Sequence, residues 1–226
     1  MSIAIIPARG GSKRIPRKNI KLFDGKPMIA HAIIAAKACG LFEHIVVSTD
    51  DEEITAIAQE WGAETPFVRP VELADDYTAT VPVIAHGIQA CRNLGWTFDN
   101  VCCIYPGAPF IQVEDMSGAL ENLIESGEDY CFPVTEFPSA IQRAFKREEG
   151  GKMQPFYPQY ETIRTQDLEK AYYDAGQFYW GKKNAWLNNP HIHSGIGYTI
   201  PNWRVVDIDT PDDWQRAEII FNSIFR

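Results

Sequence analysis

An alternation constrains this chain more than any other feature. Short apolar runs rich in β-branched residues recur between longer segments of helical character, and the links are brief. Residues 3–6, 44–48, 100–105 and 130–135 read as buried strands, with apolar side chains on successive positions rather than every second one. Residues 27–38, 51–61, 80–94 and 115–125 read as helices, the first stopped near Gly40 and the second at Gly62. Such alternation implies an α/β fold: a doubly wound, mostly parallel sheet with right-handed crossovers. Residues 64–70 are expected as a further short strand ending in Arg69-Pro70. Residues 204–209 are expected as a closing strand before a terminal helix capped by Thr210, with Pro211 at its first position and Asp212 and Asp213 in its first turn. Between Phe137 and Tyr173 the rhythm fails, and aromatics mix with Gly, Pro and polar residues. This is expected as an inserted antiparallel arm at about 138–172 on one domain spanning 1–226.

The link after the first strand is unlike the others. From Arg9 to Lys21 it carries Arg9, Lys13, Arg14, Arg17, Lys18 and Lys21, six cations in thirteen residues of a chain with net charge -9. Gly10 and Gly11 let backbone N–H groups approach an anion, and the basic side chains neutralise phosphate oxygens. The loop therefore reads as a polyphosphate cradle, although neither common nucleotide-loop spacing is present. In a parallel α/β sheet a loop in this position lies at the carboxyl edge, where such folds bind ligands.

The overall acidic balance argues against general nucleic-acid or membrane-surface binding, and no apolar run has the length of a membrane span. Cys39, Cys91, Cys102, Cys103 and Cys131 lie in apolar segments without C-x-x-C spacing. They read as free thiols in a reducing compartment, so a cytoplasmic location is expected. His31 reads as a structural residue of its helix, and Asp50 and Asp51 as helix-capping residues rather than metal ligands.

A second constellation lies near the other end of the chain. Asp207 and Asp209 stand two apart on the expected closing strand, which would aim both carboxylates to one face. Two hard oxygen donors suit Mg²⁺, whose remaining positions go to water and substrate phosphates.

Residues 6–13 (Ile-Pro-Ala-Arg-Gly-Gly-Ser-Lys), Arg17-Lys18-Asn19, residues 69–74 (Arg-Pro-Val-Glu-Leu-Ala) and residues 206–210 (Val-Asp-Ile-Asp-Thr) together resemble the CMP-nonulosonate (CMP-sialic acid) synthetases, colinearly over essentially the whole chain. The resemblance implies a Rossmann-like nucleotidyltransferase fold that joins CTP to an acidic nine-carbon sugar, releases pyrophosphate and uses Mg²⁺. It implies that Arg9, Ser12 and Lys18 hold the triphosphate, with Gly10, Gly11 and Lys13 in the same loop. Ala8 and Asn19 would lie by the cytosine and the loop's far end, Arg69 would line the base side, and Asp207 and Asp209 would bind the metal. A homodimer whose arm reaches the partner's site is likewise implied.

Two segments on the sugar side depart from the sialic acid pattern. Sialic acid synthetases usually carry Gln-Pro-Thr-Ser-Pro-Leu where residues 105–110 are Tyr-Pro-Gly-Ala-Pro-Phe, and Arg-Pro-Asn-Gly-Ala-Ile-Tyr where residues 173–179 are Tyr-Asp-Ala-Gly-Gln-Phe-Tyr. With Gln166-Asp167-Leu168, these segments look like the branch acting on pseudaminic acid, a bacterial sugar used to glycosylate flagellin and surface polysaccharide. Tyr105, Gln166, Asp174 and Gln177 are the sugar-side residues this implies. The rival readings are a CMP-N-acetylneuraminate synthetase and a CTP-binding regulatory partner without chemistry. A nucleotide-sugar glycosyltransferase is disfavoured, because it needs no cation-lined triphosphate loop.

Overall fold

The computed structural model describes residues 1–225. In chain order, β1 (Ser2–Pro7) leads through the basic loop to a small hairpin, β2 (Leu22–Phe23) and β3 (Lys26–Pro27), then α1 (Met28–Cys39), β4 (His44–Ser48) and α2 (Glu52–Glu60). Next come α3 (Thr80–Asn93), β5 (Asn100–Ile104), α4 (Val113–Ser126) and β6 (Tyr130–Glu136). The arm carries the hairpin β7 (Phe145–Arg147) and β8 (Met153–Pro155). The chain returns through β9 (Tyr172–Asp174), β10 (Phe178–Lys182), α5 (Lys183–Asn188), β11 (Ile196–Thr199) and α6 (Pro211–Phe225).

Among the described residues the central sheet has the order β11-β6-β10-β5-β1-β4, with β9 added beside β6. The strands β11, β6, β5, β1 and β4 run one way, while β10 and β9 run against them. The sheet is thus doubly wound and mostly parallel, as the alternation predicts. The insertion of β10 between β5 and β6 is decided by long-range pairing.

Side chains leave the strands to alternate faces, and both faces are covered. Ala4, Ile6, Cys102 and Ile104 pack under α1, α2 and α4, whereas Ile3, Ile5, Val101 and Cys103 pack under α3 and α5. A third cluster joins Ile15, Phe23, Met28, Phe110 and Ile208 to Trp214, Ala217 and Phe221 of α6. It fastens the basic loop to the end of the chain. His31 belongs to this packing: its Nε2 lies 2.9 Å from the Phe23 carbonyl, and its ring meets Phe23 and Phe221 edge-on. Gly40 ends α1 in the left-handed region at φ 66°, a conformation that costs glycine little.

Two expected strands do not form. Residues 64–70 make a single bridge, Val46 with Glu64, before Arg69 N–H bonds the Thr49 carbonyl at 2.9 Å. Pro66 and Pro70 supply no N–H, so a ladder cannot extend along this segment. Residues 205–209 pair with no strand. Their backbone groups go to side chains instead: Ile208 O accepts from Lys18 Nζ at 2.8 Å, and Asp209 N–H bonds the Asp213 carboxylate at 3.2 Å. Ile208 is buried, with Val206 packed partly beside it, so the two-residue alternation survives the loss of the strand. Thr210 and Asp213 cap α6 reciprocally, Asp213 N–H to Thr210 Oγ1 at 3.2 Å and Thr210 N–H to Asp213 Oδ2 at 2.8 Å.

Candidate active site

A cleft of about 500 Å³ opens at the carboxyl ends of β1 and β5, where the chain, having stepped from β1 to β4 on one side, crosses back to β5 on the other. Arg9, Ser12, Lys13, Lys18 and Asn19 of the basic loop line it. Arg69 and Tyr105 form another wall, and Asp209 stands at the rim.

The six cations divide into two sets. Arg9, Lys13, Arg14 and Lys18 line the cleft. Arg17 turns away, with left-handed backbone at φ 56°, and forks onto Asp51 while also reaching Glu53. That clamp raises the Arg17 pKa and holds the Asp51 carboxyl below its ordinary range. Lys21 lies 4.3 Å from the Trp214 ring centroid, a cation–π contact that fastens the loop to α6.

The two glycines are placed differently from the basic side chains. Neither Gly10 nor Gly11 is among the lining residues, and the Gly10 N–H is given to Asp50 Oδ1 at 3.1 Å. Gly10 is needed for another reason: a Cβ there would stand 2.5 Å from Asp51 Oδ2. Asp51 caps α2 through Ile54 N–H at 2.9 Å, as expected, whereas Asp50 does not cap the helix and braces the loop through Gly10 instead. Ala8 is fully buried, its N–H on Ser48 O at 2.9 Å, and Asn19 Nδ2 holds the Arg9 carbonyl at 3.0 Å.

Arg69 is buried, with Nε 3.2 Å from Ser48 Oγ and a further bond to the Ser48 carbonyl. Burial lowers its pKa to about 10, against the pull of Asp50, which leaves it charged at neutral pH. Tyr105 OH pairs with Thr80 Oγ1 at 2.8 Å, and burial pushes that phenol up to about 12.

The two ends of the chain converge at Asp209. Lys18 Nζ lies 3.4 Å from Asp209 Oδ1, and Arg14 reaches Asp209 Oδ2 at 2.8 Å. Asp207 does not line the cleft but stands within the field of Asp209 and Lys18. Partial burial first, and then the charge of Asp209, push the Asp207 carboxyl above its ordinary range. Among the described residues no group of three or more His, Cys, Asp or Glu could hold a metal ion. Carboxylates are the donor type a hard divalent cation takes, and here the Asp209 carboxylate is paired with Lys18 and Arg14.

The sugar-side residues are more dispersed. Asp174 accepts from Tyr179 OH and from Gly176 N–H, with His193 Nε2 at 2.9 Å. Gln177 is buried, its Nε2 on the Arg204 carbonyl at 2.8 Å while its Oε1 has no partner. Tyr105 connects this group to the cleft, since its N–H bonds the Gln177 carbonyl and its ring lies 5.3 Å from that of Tyr179. Gln166 is exposed on a turn of the arm, outside the cleft lining.

Sequence reasoning passed over Asp75, Asp76, Thr78 and Thr80, which close the cleft opposite the basic loop. Their signal was slight: two acids in a loop, six residues beyond Arg69.

A cation-lined cleft at this edge of a doubly wound sheet, with an acid at its rim, is a nucleotide-transfer site by its chemistry. Residues 3–199 match the cytidylyltransferase family, and the chain belongs to that family. It is similar to the pseudaminic acid cytidylyltransferase of Campylobacter jejuni, 42% identical over 97% of this chain and 96% of that protein. It is also similar to the CMP-N,N'-diacetyllegionaminic acid synthase of Legionella pneumophila, 30% identical over 96% and 94% of the two chains. Among solved structures, CMP:2-keto-3-deoxy-manno-octonic acid synthetase complexed with CTP superposes with a TM-score of 0.72 over 98% of each chain at 16% identity, which bears on the fold.

Proposed function

We propose that this enzyme joins CTP to pseudaminic acid, giving CMP-pseudaminic acid and pyrophosphate. The meeting of the basic loop with Asp209 across one nucleotide-sized cleft carries the reading. Similarity over nearly the full length to pseudaminic acid cytidylyltransferase supports the choice of sugar.

The anomeric hydroxyl of the sugar attacks the α-phosphorus of CTP in line, and pyrophosphate leaves. The barrier falls through positioning and charge neutralisation rather than a covalent intermediate. Arg9, Lys13 and Ser12 bind the phosphates, and Lys18 stabilises charge at the α-phosphate and on the leaving group. Arg69, held by Ser48, gives a rigid cationic wall to the base side. Tyr105 sets the boundary with the sugar, backed by Asp174 and Gln177. Asp207 and Asp209 would hold Mg²⁺, which when bound supplies neutralisation of phosphate charge and a lowered pKa for the attacking hydroxyl.

We read the chain as a cytoplasmic homodimer. The free cysteines support the compartment. Phe145, Met153 and Phe156, each more than half exposed on the arm, support a subunit contact there.

The test is a panel of pseudaminic acid, N,N'-diacetyllegionaminic acid and N-acetylneuraminic acid, each with CTP and Mg²⁺, followed by pyrophosphate release. The expected result is the highest kcat/KM with pseudaminic acid. A higher value with N-acetylneuraminic acid would overturn the sugar assignment. CTP binding without release from any sugar would make the protein a non-catalytic partner.

A further inference from the structure

The cations of the phosphate loop already have an anionic partner within the chain. Asp76 Oδ1 lies 2.7 Å from Arg9 Nη1, and Asp76 Oδ2 pairs with Lys13 Nζ. The adjoining Asp75 carbonyl accepts from the same Arg9 nitrogen at 2.5 Å. The two cations hold the Asp76 carboxyl below its ordinary range, Lys13 most strongly. Arg9, Lys13, Asp75 and Asp76 all line the cleft, so the contact lies inside the nucleotide site.

The segment bearing Asp76 is built as a short separate strap. The Asp75 carboxylate accepts from Tyr77 N–H at 3.0 Å and Thr78 N–H at 2.7 Å, which fixes the turn. Around that turn the chain is exposed, and Tyr77 is 93% exposed. The strap joins the turn Val71–Leu73 to the start of α3 and contributes no residue to the three buried clusters between Leu73 and Thr80. It can move without opening the core.

We infer that Asp76 is a displaceable internal anion: the triphosphate must take Arg9 and Lys13 from it, and after transfer it takes them back from pyrophosphate. Arg9 and Lys13 cannot keep Asp76 Oδ1 and Oδ2 at contact distance while binding phosphate oxygens there. Leaving Asp76 in place would also set its charge against the incoming phosphates. Displacement weakens nucleotide binding and hastens release of the leaving group, which otherwise faces four loop cations, Arg9, Lys13, Arg14 and Lys18, in the same cleft. This rests on the cytidylyltransferase reading only for the identity of the anion.

The test uses the full chain, calorimetry and two probes, inorganic tripolyphosphate and CTP. Asp76→Asn is compared with Glu72→Gln, which removes the same charge from the neighbouring turn. Asp76→Asn is expected to bind tripolyphosphate about tenfold tighter than wild type, with Glu72→Gln changed less than about twofold. In steady-state assays it is expected to be inhibited by pyrophosphate at about tenfold lower concentration. Unchanged or weaker tripolyphosphate binding by Asp76→Asn, with a wild-type melting curve, would overturn the inference by making Asp76 a fixed support for the two cations. Equal tightening by Glu72→Gln would overturn it too, by reducing the effect to the general field. Tightening for tripolyphosphate without any CTP binding would leave the inference standing and sink the functional reading instead.

Discussion

Lys18 and Asp209, 191 positions apart in the chain, meet with Nζ 3.4 Å from Oδ1, and the same Nζ donates to the Ile208 carbonyl at 2.8 Å. One ammonium group therefore ties the phosphate loop both to the acid at the cleft rim and to the backbone that carries it. The contact is half-sheltered, with side-chain exposures of 23% and 31%, so its geometry is less screened than that of a surface pair.

Lys18→Ala and Asp209→Ala are each expected to fold normally and to lose roughly 10²- to 10³-fold in pyrophosphate release. The double variant is expected to lose less than the product of the two, because both residues serve one arrangement. Near-wild-type turnover of either purified variant would remove it from the chemistry.

Gly10→Ala should damage the loop without touching a lining side chain. Its Cβ would stand 2.5 Å from Asp51 Oδ2, so the loop or the Arg17–Asp51 clamp must shift. Displacing Arg9 and Lys18 by even 1 Å predicts a fall in kcat/KM of about 10²-fold. Gly11→Ala meets open space and should retain activity; parallel kinetics on the two variants separate crowding from loop flexibility.

Acid should loosen the same clamp. Arg17 holds the Asp51 carboxyl below its ordinary range, so the unfolded chain takes up that proton at higher pH than the folded one. The resulting stability is present above about pH 4, the ordinary carboxylate range, and is lost as pH falls through the folded value. Asp51→Asn is expected to melt lower at pH 7 and to show a shallower decline in Tm between pH 5 and 3. Parallel melting profiles with wild type would refute this.

Arg204 and Asp115 form a two-pronged ion pair at 2.6 and 3.1 Å, with side chains only 12% and 8% exposed. Burial pushes the Asp115 carboxyl up even beside the guanidinium, so desolvation outweighs the pairing. Asp115→Ala, which strands the cation, is expected to cost about 3–5 kcal/mol in urea unfolding, whereas Asp115→Leu with Arg204→Met should recover most of it. Because the Arg204 carbonyl holds Gln177, the single variant should also raise the KM for the sugar.

Much of the fold was legible because burial on both faces of a sheet and on one side of a helix leaves a local pattern. The elements β1, β4, β5, β6 and the helices between them answer to that pattern, and the basic loop follows β1 where the alternation predicts a ligand edge. The strands expected at 64–70 and 204–209 failed because a strand exists only by pairing. Prolines deny the first its ladder, and Lys18, Asp213 and Gln177 take the backbone groups of the second. Residue type also does not reveal which of six cations faces a ligand. Arg17 and Lys21 went to Asp51 and Trp214 because those partners arrive from distant elements.

By itself the sequence determined the order of elements, the concentration of positive charge after the first strand and the acids near the end, since each depends on neighbours a few residues apart. Only the tertiary structure decided that Asp209 joins Lys18, that Asp76 faces Arg9 and Lys13, and that β10 enters the sheet against its neighbours. Those contacts form between segments tens to hundreds of residues apart, and packing α6 and the sheet edge against the loop is what brings them within hydrogen-bonding distance.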